Sequence, residues 1–375
     1  MILAQLHTAF LRFHNAVVDH LRKDPALATQ SKEQIFKLAQ RQVRWHYQWI
    51  IVHEFLPLTI GQELVDNLLQ KGPRFYQVDE GADGRRARRS KDPLLPIEFS
   101  VAAYRFGHSQ IRPSYRLNFG PTGGSPVFAF LFDDTQDPNN PDPDDMRGGK
   151  RAPRRFVDWQ TFFKFDNNFR PNKKIDGKLS SVVMLRPGSR GPAPGLPSDG
   201  VQSLASRNLM RHVNFGIPSG QAIARRMGVP ALTPAQLDML KPFDMEKSTP
   251  LWFYIMKEAE LMEDGLRLGP VGGRIVGEVF IGLLKADESS YLAAQPRWKP
   301  VLPSATRGDF RITDLLTFAG VVPSLDAVVP PPTGVVPPPT DALPPPAEVE
   351  PSPTNVVPLL DEVEPSPTDV APPLQ

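Results

Sequence analysis

Apolar side chains recurring every three or four residues dominate this chain, and a chain patterned this way buries itself by packing helix on helix. Leu3, Leu6, Phe10, Phe13, Val17 and Leu21 mark the first such face, which begins almost at the first residue. Ser31 and Gln34 then stand at capping-box spacing. Ile35, Leu38, Trp45, Trp49 and Val52 carry a second face that is expected to stop before Pro57. Pro96 opens a third helix through Ile97, Phe99, Ala102, Ala103 and Phe106, ended by Arg112-Pro113. Further helices are predicted over 199–213, 219–227, 234–240, 251–264 and 272–285, with Thr233 as N-cap and Pro234 in the first turn. Strand signals are few and short, so the predicted fold class is mainly α. The first face has no cap or loop ahead of it, which sets the expectation that the sequence is incomplete at its N-terminus.

The last 54 residues are of another kind. From Val322 to Gln375 there are 17 prolines, eight acidic groups, no aromatic residue, no Lys and no Arg. Such a segment cannot bury enough apolar surface to offset its ordering entropy. The expected organisation is a helical body over 1–321 and a disordered acidic Pro-rich tail over 322–375. The tail repeats Val-Val-Pro-Pro-Pro-Thr from Val328 and Val335, and Glu-Val-Glu-Pro-Ser-Pro-Thr from Glu348 and Glu362. Extended, polyproline-type conformation suits a spacer, or docking to a partner. Deleting 322–375 is expected to leave the melting temperature of the body unchanged; a clear drop would show that the tail packs on it.

Several function classes fall away. No run of 18 apolar residues is present for a membrane span. No signal-peptide pattern opens the chain, so localisation stays open, secretion included. Zero cysteines remove disulfides, Cys-zinc sites, iron–sulfur clusters and thiol nucleophiles. The charge of +10 on the body lacks any aromatic–basic groove pattern, so nucleic acid is not an expected partner. Residues 72–96 read as a polar loop with Arg85, Arg86, Arg88, Arg89 and Lys91 clustered. Residues 133–155 read as an insertion, acidic at Asp133, Asp134 and Asp137 and basic at Lys150, Arg151, Arg154 and Arg155, without the spacing of a calcium loop. Gly269-Pro270-Val271-Gly272-Gly273 precedes a helix but lacks the Walker spacing and its Lys. There is no G-x-S-x-G elbow.

Of the seven histidines, His7 and His14 are seven apart on one helix face, as are His46 and His53. Both pairs read as packing histidines, because no third ligand stands at zinc spacing. His108 differs. It follows Gly107 in Ala102-Ala103-Tyr104-Arg105-Phe106-Gly107-His108-Ser109, and a glycine there leaves room for something flat and large to approach. Arg105 stands one turn back, where it can pair with a carboxylate. In Leu204-Ala205-Ser206-Arg207-Asn208-Leu209-Met210-Arg211, Asn208 puts an amide on an apolar face, where its oxygen can accept the second ring N–H of a ligating His. Arg211 faces the same side. One His, one orienting Asn and two Arg suit the proximal side of a haem.

The wording of these stretches resembles the animal-type haem peroxidase superfamily, its bacterial members in particular. His7-Thr8-Ala9-Phe10-Leu11-Arg12-Phe13-His14-Asn15 is similar to the family's H-x-x-(F/L)-L-R-x-H-N, and Glu54-Phe55-Leu56-Pro57 to its E-(F/Y)-L-P. Ala103–Ser109 followed by Arg112-Pro113 resembles the proximal-His segment. Arg207-Asn208-Leu209-Met210-Arg211, then Gly216-Ile217-Pro218-Ser219-Gly220-Gln221, resembles the Asn-containing helix. The likeness runs on through Gly269–Arg274 to about residue 320. It implies a haem-peroxidase-like helical domain, with haem b as cofactor and with hydrogen peroxide and a small organic donor as partners. A response to oxidative stress is the role implied. By it, His108 is the axial iron ligand, Asn208 its hydrogen-bond partner, and Arg211 and Arg105 hold haem propionates, while His7 and His14 stay structural. The family's distal His lies upstream, in W-G-Q-F-x-D-H-D, where a neighbouring Asp helps bind calcium. Its distal Arg and an ester-linking Glu also precede the first motif here. The resemblance therefore implies that the distal half-site, the calcium ligands and any covalent haem link are not among residues 1–375. An inactive truncated haem-binding remnant and the fatty-acid-oxygenating branch are the alternatives, and the donor substrate and oligomeric state are not legible.

Overall fold

The structure is a computed structural model that describes residues 1–76, 93–119, 127–130, 155–165, 169–180 and 203–322. The chain divides into two compact units, Met1–Val329 and Pro330–Gln375, and every described residue belongs to the first. The clustered basic residues 85–91, nearly all of the insertion at 133–155 and the Pro-rich repeats lie outside the described residues. Arg155, the insertion's last residue, is buried, and its carbonyl accepts from Gln5 Nε2.

The described residues are mainly α-helical, as expected. The first face becomes α1 (Ile2–Arg22), which buries Ala9, Phe13 and Val17. The second becomes α2 (Lys32–Ile50), with both bonds of the Ser31–Gln34 capping box formed. Pro57 does not stop it. The backbone takes one π turn over Ile51–Phe55 and continues as α3 (Leu56–Ile60), ending at Gly61, where φ is +86°. Proline lacks the N–H that would bond the His53 carbonyl four residues back. The wider turn brings Leu56 N–H to Ile51 instead, and Arg311 Nη1 donates to the orphaned His53 carbonyl at 2.9 Å.

An unforeseen α4 (Gln62–Lys71) follows. The third helix begins where Pro96 placed it, but as a π turn over Glu98–Ala102 and then a 3-10 helix over Ala103–Gln110. β1 (Ser114–Asn118) pairs antiparallel with β2 (Val127–Phe130), Tyr115 opposite Ala129. Then come α5 (Leu204–Asn214), α6 (Gly220–Met227) and a 3-10 helix over Pro234–Phe243 with a Thr233–Gln236 capping box. α7 (Leu251–Met262), α8 (Pro270–Ala286), α9 (Tyr291–Ala294) and α10 (Ile312–Phe318) complete it. The last two are too short to leave a periodic signal.

α8 is the centre of the main core, apolar on nearly every side and packed against α3, α4, α6, α7 and α9. Gly277 makes that closeness possible. A Cβ there would fall 2.5 Å from Ile60 Cδ1 and 2.6 Å from Leu68 Cδ1. The glycine run ahead of α8 is not an anion site: the buried Glu258 carboxylate already caps it, accepting from Val271 and Gly272 N–H. A second core gathers Ala9, Phe13, Val17, Leu302, Phe310, Leu315 and Leu316 under α1 and α10. Among the described residues no helix is long and apolar enough to cross a membrane.

Candidate functional site

Two short helices bring the predicted residues together. α5 packs on the π turn that feeds the His108 segment, and α7 packs on the segment itself. Trp252 Nε1, from α7, donates to the Arg105 carbonyl at 3.2 Å and so fixes the backbone one turn before His108. Ser109 Oγ donates to the Phe106 carbonyl at 2.8 Å, closing the turn around it. Phe106 and Ser109 point into the protein, which leaves Gly107 and His108 toward the other side.

Asn208 is 1% exposed, and its Nδ2 lies 2.8 Å from His108 Nδ1. The pairing expected from the sequence is present with the amide ends reversed. The reason is Arg211, whose Nη1 donates to Asn208 Oδ1 at 3.2 Å and to the Arg207 carbonyl at 3.4 Å. With its oxygen taken by a cation, Asn208 offers its amide hydrogen to the ring, so His108 Nδ1 accepts and Nε2 carries the proton.

The charge around this pair is one-sided. Arg105, Arg207 and Arg211 all act on His108, and none of them has an acidic partner among the described residues. Burial first, then those three guanidinium groups, lower the His108 imidazole to about 4, so it is neutral at pH 7. Burial and the other two arginines also lower Arg105, whose Nε is buried with no hydrogen-bond partner. Next to this, a Cβ on Gly107 would meet nothing within 4 Å. The site is a neutral imidazole beside open space, acted on by three cations that have no acidic partner among the described residues. Arg207, in the same motif as Asn208 and Arg211, adds its charge to those of Arg105 and Arg211.

The other histidines are engaged elsewhere. His46 is fully buried and accepts from Val301 and Leu302 N–H at 3.3 Å each. His53 Nε2 meets the Tyr291 hydroxyl. His14 packs edge-on against Phe36, 5.2 Å between centroids. His7 does not pack: it is exposed, on the side of α1 opposite Ala9, and α2 covers His14 without reaching it. Among the described residues no three His, Cys, Asp or Glu side chains come together to hold a metal ion.

Comparisons with known proteins bear on the family of this chain. Residues 1–131 match the family model of the animal haem peroxidases. Over 312 residues, 78% of this chain and 36% of that protein, the chain is 27% identical to a peroxidase-like protein of Margaritifera margaritifera. Over 327 residues, 85% of this chain and 37% of that protein, it is 24% identical to the chorion peroxidase of Aedes aegypti. Peroxidase A from Dictyostelium discoideum superposes with a TM-score of 0.45 and 19% identity, over 76% of this chain and 49% of that one. The family-model match and the two curated relatives support the animal-type haem peroxidase superfamily for this chain, which spans little more than a third of the length of those two relatives.

Proposed function

We propose that residues 1–321 supply the proximal half of a haem peroxidase site, with His108 as the axial ligand of haem b. The observation that carries this reading is the neutral His108 held by a buried Asn208, beside three arginines that have no acidic partner among the described residues. Arg105 and Arg211 would hold the two carboxylates of haem, and the absence of a Cβ at Gly107 would leave room beside the backbone for the group. When bound, haem iron reduces hydrogen peroxide and takes electrons from a small organic donor.

The chain's own part is to set the ring. Ligation through Nε2 needs a lone pair there, so the ring proton belongs on Nδ1, and Asn208 must present Oδ1 to it. That is a half-turn of the amide from the arrangement described above. The same half-turn removes the acceptor from Arg211 and frees its guanidinium for a carboxylate. Asn208 thus links the tautomer of the ligand to the binding of the anionic edge. A hydrogen bond from Nδ1–H makes the imidazole a stronger donor and holds its plane.

A haem titration followed by Soret absorbance tests this. The wild type should give the spectrum of a His-bound ferric centre, and His108→Ala should lose it. Asn208→Ala should keep haem with a raised reduction potential. Gly107→Ala should leave the melting temperature unchanged, since its Cβ meets no protein atom, and still weaken haem uptake. An unchanged spectrum in His108→Ala would remove the assignment.

A further inference from the structure

Away from His108, a polar pair lies inside an aromatic cluster. Tyr291, at the start of α9, is 1% exposed. Its hydroxyl has one hydrogen-bond partner among the described residues, His53 Nε2 at 3.1 Å. Trp49 stacks on the His53 ring, 3.7 Å between centroids. Trp298 lies 5.6 Å from Tyr291, 6.0 Å from Trp49 and 5.4 Å from Trp45. Trp49 lies 5.8 Å from Tyr291, and its Nε1 donates to Asp309 Oδ1 at 2.9 Å. Trp298 reaches the surface, where it lines a recess with Gln295, Pro296 and Arg297.

Packing alone does not call for this composition. Phenylalanine fills such space without burying a hydroxyl and an imidazole that must then satisfy each other. What the four rings share is oxidisability: phenol and indole are the side chains, cysteine apart, that yield one electron most readily. Phenol does so at accessible potentials only when its proton leaves with the electron, and that needs a base within hydrogen-bond reach. His53 is that base.

We propose that Tyr291 and His53 form a proton-coupled oxidation site, wired to the surface through Trp49 and Trp298. A strong one-electron oxidant takes one electron from Tyr291. The phenol O–H bond breaks, and its proton moves to His53 Nε2. The neutral tyrosyl radical then recovers an electron through the indoles and its proton from His53. An electron-rich phenol or aromatic amine at the Trp298 recess supplies that electron and releases its own proton to solvent. The net change is one electron from donor to oxidant, with the cluster restored. This stands on the cluster's geometry and not on the haem reading, and its test needs no haem.

The charges facing His53 come from Asp309 and Arg311 before α10 and from Asp66 on α4, with Glu54 adjacent in the chain. Burial outweighs them and lowers the ring to about 4. The base thus stays available well below the ordinary histidine range, and radical formation should be level from pH 8 to about 5 and fall as the pH passes about 4.

The experiment is flash oxidation of the full chain by a soluble photogenerated ruthenium(III) polypyridyl, with the radical read by electron paramagnetic resonance. In protein carrying ¹⁵N-histidine, the wild-type radical should be a tyrosyl with a hydrogen bond coupled to an imidazole nitrogen. Tyr291→Phe should abolish that coupled signal. His53→Gln, which keeps an acceptor without a base, should slow its formation roughly 10²-fold. A coupled signal persisting in Tyr291→Phe, or wild-type kinetics in His53→Gln, would overturn the proposal. Should Tyr291→Phe not fold, the unaltered protein decides: a radical lacking any histidine coupling, as at the exposed Tyr47, overturns it equally.

Discussion

Loaded with haem, residues 1–375 should oxidise a phenolic donor with hydrogen peroxide at close to the rate of free haem at equal haem concentration. Fast peroxide cleavage needs a base on the face opposite the ligand, to move a proton from one oxygen to the other, and a cation to stabilise the departing oxygen. The disposition of the seven histidines decides the expectation. His108 is the proposed ligand. His46 is a fully buried acceptor for two backbone N–H groups, and His53 is bonded to Tyr291. His212 Nδ1 accepts from Leu251 N–H, His20 packs against Phe318, His14 against Phe36, and His7 is exposed on the outer side of α1. Five of the six besides His108 have a partner of their own, and His7 is exposed. Acid–base help of this kind is worth on the order of 10² to 10⁴ in rate, and that is the shortfall expected against a peroxidase with both half-sites. A soluble imidazole added as a surrogate base should recover part of it. Full turnover by 1–375 without such help would mean that one of these histidines is recruited after all, and single substitutions would find it.

The parts legible in the sequence are those set by local rules. The α1 and α2 faces, the Ser31 and Thr233 caps and the start of the third helix follow from period and capping chemistry, and all are present. The passage through Pro57 was not legible, because it depends on Arg311, remote in sequence, taking the carbonyl that proline leaves unpaired. α9 was hidden by its length: four residues capped by Ser290 make no apolar period. At the site, His108, Asn208, Arg105 and Arg211 were picked out by their motifs, and α5 and the His108 segment do meet. Which end of the Asn208 amide faces the ring was not legible, since Arg211 sets it through a contact between side chains. Trp252 carried no signal either. Its bond to the Arg105 carbonyl looks, in the sequence, like one more apolar residue of α7.

The second large effect concerns acid and rests on His46. Its Nδ1–H donates to the Gln42 carbonyl at 2.7 Å, and its Nε2 accepts from Val301 and Leu302 N–H, so one imidazole ties α2 to the loop ahead of α10. A proton on Nε2 would point at two donors inside a wall formed by Trp298 and Phe310. Burial lowers His46 to about 4, against 6.5 in an exposed chain. Between those values the unfolded chain binds the proton and the folded protein does not. Stability from this group is therefore complete above about pH 6.5 and is lost as the pH falls toward 4. The size is on the order of 3 kcal/mol. Glu258 works in the opposite sense: burial raises it to about 7, so it favours the fold as the pH falls from 7 toward its ordinary range. A single stability curve mixes the two, and the comparison that separates them is wild type against His46→Gln. Glutamine keeps an acceptor for Val301 and Leu302 and cannot titrate. Measured by urea unfolding from pH 7.5 to 4, the wild type should lose about 3 kcal/mol relative to the variant, with Glu258 common to both. Parallel curves for the two proteins would show that His46 takes up its proton in the folded state as readily as in the unfolded chain, and that the clamp on Val301 and Leu302 survives without the neutral ring.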